Sequence, residues 1–173
     1  MTHARYPIGK QRLHGPLTSD QRAAAIASIA ALPNALAEAV RGLDAAQLDT
    51  SYRPGSWSVR QVVHHLADAH LHGYARCKFA LTESTPPVKA YDENAWARLA
   101  DANGPIGGSL LLLQALHERW AHCLRSLPAA AFARDCVHSE DGRKTVDDLV
   151  AGYDWHGRHH VAHITTLRRV RGW

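Results

Sequence analysis

The sequence predicts an all-α protein folded as a four-helix bundle. Three observations carry that prediction. Alanine is abundant and long runs of strand-type residues are missing, which favours helix over sheet. Four long stretches repeat apolar residues at three- and four-residue spacing. Each of them starts or stops at a residue pattern suited to a helix terminus.

Residues 1–18 read as an extended surface segment, because Pro7, Gly9, Gly15 and Pro16 interrupt any regular pattern. Thr18 with Gln21 three positions on is a capping box, in which side chain and backbone satisfy each other's open hydrogen-bonding groups. Ile26, Ile29, Ala30, Leu36, Ala37 and Val40 then recur at helical spacing up to Gly42. Pro33 is expected to split this stretch into two short helices or bend it, since proline has no N–H for the carbonyl four residues earlier. Asp44 to Leu48 suits one further turn.

Tyr52-Arg53-Pro54-Gly55 is a turn, and Ser58 with Gln61 caps a second long helix over Val59 to Thr82. Thr85-Pro86-Pro87 ends it, and Asp92 to Ala100 suits a short connecting helix. The third long helix runs from Ser109 to about Leu127, where Pro128 stops it. Residues 133–144, with Asp141-Gly142, form a loop or small hairpin. Thr145 with Asp148 opens the last long helix, which reaches about Arg169. Without an internal repeat or linker, residues 1–173 are expected to form one domain.

A formal charge of +4, drawn largely from Arg168, Arg169 and Arg171, shows no basic block interleaved with exposed aromatics, which argues against nucleic-acid binding. The N-terminus lacks the apolar core of a signal peptide, and the most apolar run, Leu110 to Leu113, is too short to span a bilayer. Cys77, Cys123 and Cys136 are odd in number and scattered. They suit packing in a reducing cytoplasm rather than a disulfide framework.

Histidine carries the chemical signal. Of 13 histidines, four (His156, His159, His160 and His163) fall close together on the last helix. Leu149, Tyr153, Ile164 and Leu167 define the core stripe there, and the same spacing from Tyr153 lands on His156, His160 and Ile164. His156 and His160 therefore sit within the stripe, while His159 and His163 lie on a flanking row. Two imidazoles one turn apart on an apolar face can share a divalent ion, which would satisfy two polar rings otherwise costly to bury. A third ligand has to come from another helix. The second offers His64 and His65 in HHLADAH, and periodicity leans to His65 without separating the two cleanly.

WSVRQVVHHLADAH, YDENAW and YDWHGRHHVAHITTLRRVRGW resemble the DinB/YfiT-like superfamily over nearly the whole chain, closest to its YfiT-type branch of metal-dependent hydrolases. In that pattern Trp57 precedes His65-Leu66 by eight residues, and His156-x3-His160 closes it near the C-terminus. The resemblance implies a four-helix bundle, usually a homodimer, with one zinc or nickel ion per chain on His65, His156 and His160. His163 stands where many members have glutamine.

Three neutral ligands leave a metal one open position, a catalytic rather than a closed structural arrangement. Water there implies hydrolysis of a small-molecule substrate. A bound low-molecular-weight thiol implies transfer instead, as in the bacillithiol and mycothiol transferases of the superfamily. A non-enzymatic metal-binding protein with a stress or partner-binding role is the third reading. Asp68, three residues after His65, is the candidate catalytic acid, acting by orienting a ligand ring, and Asp154 is a similar candidate. Arg60, Arg76 and Arg158 are candidates for binding a carboxylated thiol. Trp57 reads as a core anchor, and His70, His72, His117 and His122 show no spacing that demands function.

Overall fold

A computed structural model describes residues 5–173. Its long helices are α1 (Ser19–Val40), α3 (Val59–Thr82), α5 (Gly107–Arg125) and α6 (Val146–Arg171). One-turn helices α2 (Ala45–Leu48) and α4 (Glu93–Trp96) sit in the connections. The expected capping boxes at Thr18 and Ser58 form, and the expected cap at Thr145 is a third, each with both reciprocal hydrogen bonds in place. α1 packs on α5 and α6, and α3 packs on the same two helices. The first two long helices thus lie diagonally across the bundle, and α3 and α6 are brought side by side.

Of the two forms expected for residues 133–144, loop or small hairpin, the hairpin is present, as β2 (Asp135–His138) and β3 (Gly142–Thr145), paired antiparallel. A third strand, β1 (Pro87–Val88), joins β2 in parallel and makes a small sheet that the sequence pattern did not indicate. Two residues are too few to show a strand's alternation. By length and apolarity α1 could cross a bilayer. Here Ile26, Ile29, Leu32 and Leu36 of that helix are buried in the bundle.

Pro33 neither splits nor ends α1, which is helical from Ser19 to Val40. The proline does deprive the Ile29 carbonyl of its partner four residues on. His117 Nδ1 on α5 fills the vacancy at 2.6 Å, so the helix continues with its buried acceptor satisfied.

The core falls into two apolar clusters. One gathers Ile29, Cys77, Trp120, Leu124 and Val150, and the other Leu36, Val62, Leu66, Leu113 and Ile164. Between them along each of three helices lies histidine: His70 on α3, His117 on α5, and His156 with His160 on α6. The bundle therefore carries a cross-sectional layer of imidazoles between two greasy ends.

Two glycines set how closely the helices approach. A Cβ at Gly73 of α3 would lie 2.5 Å from the Tyr153 ring of α6, and one at Gly157 of α6 would lie 2.7 Å from Leu32 of α1. Both distances are inside van der Waals contact, so a Cβ at either position would force the facing side chain to shift.

Candidate metal centre

His65 projects from α3, and His156 and His160 from successive turns of α6, into the seam between the two helices. One ligand-capable nitrogen from each of the three lies within 4.8 Å of the other two. His65 Nε2 and His156 Nε2 are 3.1 Å apart. Two nitrogens on one tetrahedral ion, each about 2.0–2.1 Å from it, would be separated by about 3.3 Å. The observed pair thus has nearly the spacing a shared ion requires. The His160 ring stands edge-on to both, with centroids 4.8 Å from His65 and 4.6 Å from His156. Its Nδ1 is buried without a hydrogen-bond partner among the described residues.

Burial keeps these rings neutral, which is the form that can donate a lone pair to a metal. Desolvation first, and the neighbouring His156 second, hold His65 well below the usual histidine range. Desolvation pushes His156 down to about 4. The same cause, followed by repulsion from His156 and His65, lowers His160. Trp57 walls the site, its ring 4.5 Å from His65 and stacked at 6.2 Å over His160. The expected core anchor thus also shields two of the three imidazoles.

The three histidines border a cavity of about 540 Å³, lined further by Arg53, Arg76, Tyr91, Tyr153 and His138. Tyr153 Oη accepts from Arg76 Nη1 at 3.0 Å, which fixes both side chains on the wall. Arg53 lies 5.6 Å over the Tyr52 ring, and its buried Nε has no partner among the described residues.

Other sequence candidates fall elsewhere. His64 is occupied on both sides, with Nε2 donating to the Gly104 carbonyl at 3.2 Å and Nδ1 accepting from Ser109 Oγ at 2.8 Å. Asp68 borders a separate small cavity with His64, His65 and Tyr91, and its carboxylate hydrogen-bonds none of the three clustered rings. Burial, then the nearby Asp101, raises its pKa. Asp154 is taken by a two-pronged pair with Arg158 at 2.7 and 2.8 Å. Arg60 pairs with Asp49 and the Gly104 carbonyl, which leaves Arg76 as the one of the three suggested arginines on the large cavity.

The row expected to flank the core is buried. His159 stacks on Trp155 at 4.4 Å, and His163 stacks on Tyr52 at 4.0 Å and approaches the Arg5 carbonyl at 3.3 Å. The N-terminal segment covers these rings, and helix periodicity alone could not show that cover. Cys77 and Cys136 are buried free thiols, and Cys123 is partly buried.

The DinB superfamily model matches residues 28–164, a span that includes all three clustered histidines. The chain belongs to the DinB superfamily. Relatives from Bacillus cereus and Bacillus anthracis, each named "Putative metal-dependent hydrolase", are 44% identical over 173 residues and covered end to end. YfiT from Bacillus subtilis, described as a probable metal-dependent hydrolase with an unusual four-helix bundle topology, superposes with a TM-score of 0.95. That comparison has 43% identity and 98% coverage of each chain.

Proposed function

We propose that this DinB-superfamily protein is a metal-dependent hydrolase of small molecules, with one zinc or nickel ion held by His65, His156 and His160. The observation that carries the reading is the 3.1 Å approach of His65 Nε2 to His156 Nε2 beside His160, on the wall of the large cavity. A divalent ion held by these residues would supply Lewis acidity, enough to bring the pKa of a bound water toward neutrality and to polarise a carbonyl. The chain's own residues do the rest. Trp57 screens one side of the imidazoles from solvent. Arg76, tied to Tyr153, and Arg53, with an open Nε, are placed to bind an anionic group of the substrate. Asp68, which hydrogen-bonds none of the three rings, can act on the site only indirectly, through the small cavity it shares with His65. Asp68→Asn should therefore weaken metal binding a few-fold, far less than His65→Ala.

The same unpartnered Arg53 supports a second reading, transfer of a carboxylated low-molecular-weight thiol to an electrophile. In that reaction the thiol sulfur bonds to the electrophilic carbon, the leaving group departs, and the thiol proton is released. A cytoplasmic homodimer is the expected setting for either reaction.

Untagged wild type and His160→Ala should be assayed for metal by mass spectrometry. About one ion per wild-type chain, lost in the variant, is the expected result. The loaded protein is then offered ester and amide panels, and separately an electrophile with bacillithiol. Metal-dependent cleavage supports hydrolysis, whereas a conjugate formed only with thiol supports transfer. A wild type that takes up no ion even after reconstitution would refute both.

A further inference from the structure

The imidazole layer contains two rings, His70 and His117, that the metal cluster does not use. We propose that they are positioning residues for His156: His70 accepts the hydrogen of His156 Nδ1, and His117 seats the His70 ring from an anchor on α1. This rests on the reading of His65, His156 and His160 as metal ligands.

Each proton position follows from the atom it faces. A carbonyl can only accept, so His117 Nδ1, at 2.6 Å from the Ile29 oxygen, carries the hydrogen and its Nε2 is a lone pair. His156 turns Nε2 toward His65 and Nδ1 toward His70 Nε2, at 3.1 and 3.2 Å. With Nε2 given to an ion, neutral His156 holds its hydrogen on Nδ1 and donates it to His70 Nε2. His70 then carries its own hydrogen on Nδ1.

The His70 ring stacks on His117, with centroids 4.9 Å apart and planes at 27°. Both rings are fully buried, and His70 Nδ1 and His117 Nε2 have no hydrogen-bond partner among the described residues. One is an open donor and the other an open acceptor. All three imidazoles thus share one tautomer, with the hydrogen on Nδ1. The anchor exists because Pro33 removed the N–H that would otherwise occupy the Ile29 carbonyl.

Metal-free protein titrated with zinc against a chromophoric chelator tests the assignment. His70→Phe should bind zinc about 10- to 100-fold more weakly, the usual cost of losing the partner that orients a ligand. His70→Gln, which keeps an acceptor, should stay within a few-fold of wild type. His117→Phe should weaken binding less in a Pro33→Ala background, where the alanine N–H can satisfy Ile29, than alone. Nitrogen-15 imidazole spectra of the zinc-loaded wild type should show His70, His117 and His156 protonated at Nδ1, a readout independent of whether any variant folds. Full zinc affinity in a folded His70→Phe protein, or His70 protonated at Nε2, would overturn the proposal while leaving the ligand set intact. A wild type that binds no zinc or nickel would instead overturn the ligand assignment and this inference with it.

Discussion

Acidification should destabilise the metal-free protein well above the range in which its carboxylates titrate. Burial pushes His156 down to about 4, against an ordinary value of 6.5. An unfolded chain therefore binds a proton at this position between those two values, while the folded chain does not. Stability contributed by the neutral ring is complete above pH 6.5 and is lost as pH falls toward 4. The full span is worth about 3 kcal/mol, and about 2 kcal/mol is already gone at pH 5. His65, His70 and His160 are lowered by the same burial, so wild type should lose at least this much. Their effects are not a simple sum, because each ring's shift includes repulsion from its neighbours. The lowered carboxylates Asp49, Asp135 and Asp148 stabilise the fold above their ordinary value of 3.8, so they do not contribute between pH 7 and 5. Urea unfolding of metal-free wild type and His156→Gln at pH 7.5 and 5.0 measures the difference. Wild type should lose about 2 kcal/mol more than the variant over this interval. Equal losses in the two proteins would refute the claim that His156 is held neutral by its surroundings.

Gly73→Ala would set a methyl 2.5 Å from a Tyr153 ring that His70 and Trp120 already border at 5.2 and 5.3 Å. Overpacking of about 1–3 kcal/mol, offset by about 1 kcal/mol of helix propensity, should leave a net loss near 1 kcal/mol in denaturant unfolding, and a stabilised variant would contradict this. Asp147 is buried and accepts from Arg22 Nε, Arg22 Nη2 and the Leu17 N–H at 2.7, 2.8 and 2.9 Å. Asp147→Ala strands that arginine and should cost about 3 kcal/mol by thermal or urea melting, so a loss under about 1 kcal/mol would show the pair to be dispensable. Arg158→Ala removes an i,i+4 pair whose arginine is half exposed. It should cost less than about 1 kcal/mol and leave metal content unchanged, and loss of the metal would instead tie Asp154 to the site.

Local signals identified the long helices and two of the three clustered histidines, and their reach explains what they missed. A capping box spans four residues, so the starts at Thr18, Ser58 and Thr145 could be read directly and recur in the structure. His156 and His160 share a stripe on one helix, so their pairing was visible as spacing. The choice between His64 and His65 lay beyond periodicity, because both lie near the edge of the α3 core face. The resemblance pointed to His65, and the structure supplies the physical reason, since Ser109 and Gly104 occupy both nitrogens of His64. The buried His159 and His163 and the strand Pro87–Val88 depend on segments far along the chain, about which helical spacing carries no information. Pro33 is the sharpest case. Locally it signals a broken helix, and the expectation of a break or bend follows correctly from its missing N–H. The carbonyl thereby freed is met by His117, 88 residues away. A residue that looks like a defect on α1 is thus, across the bundle, what determines which nitrogen of a buried histidine holds its proton.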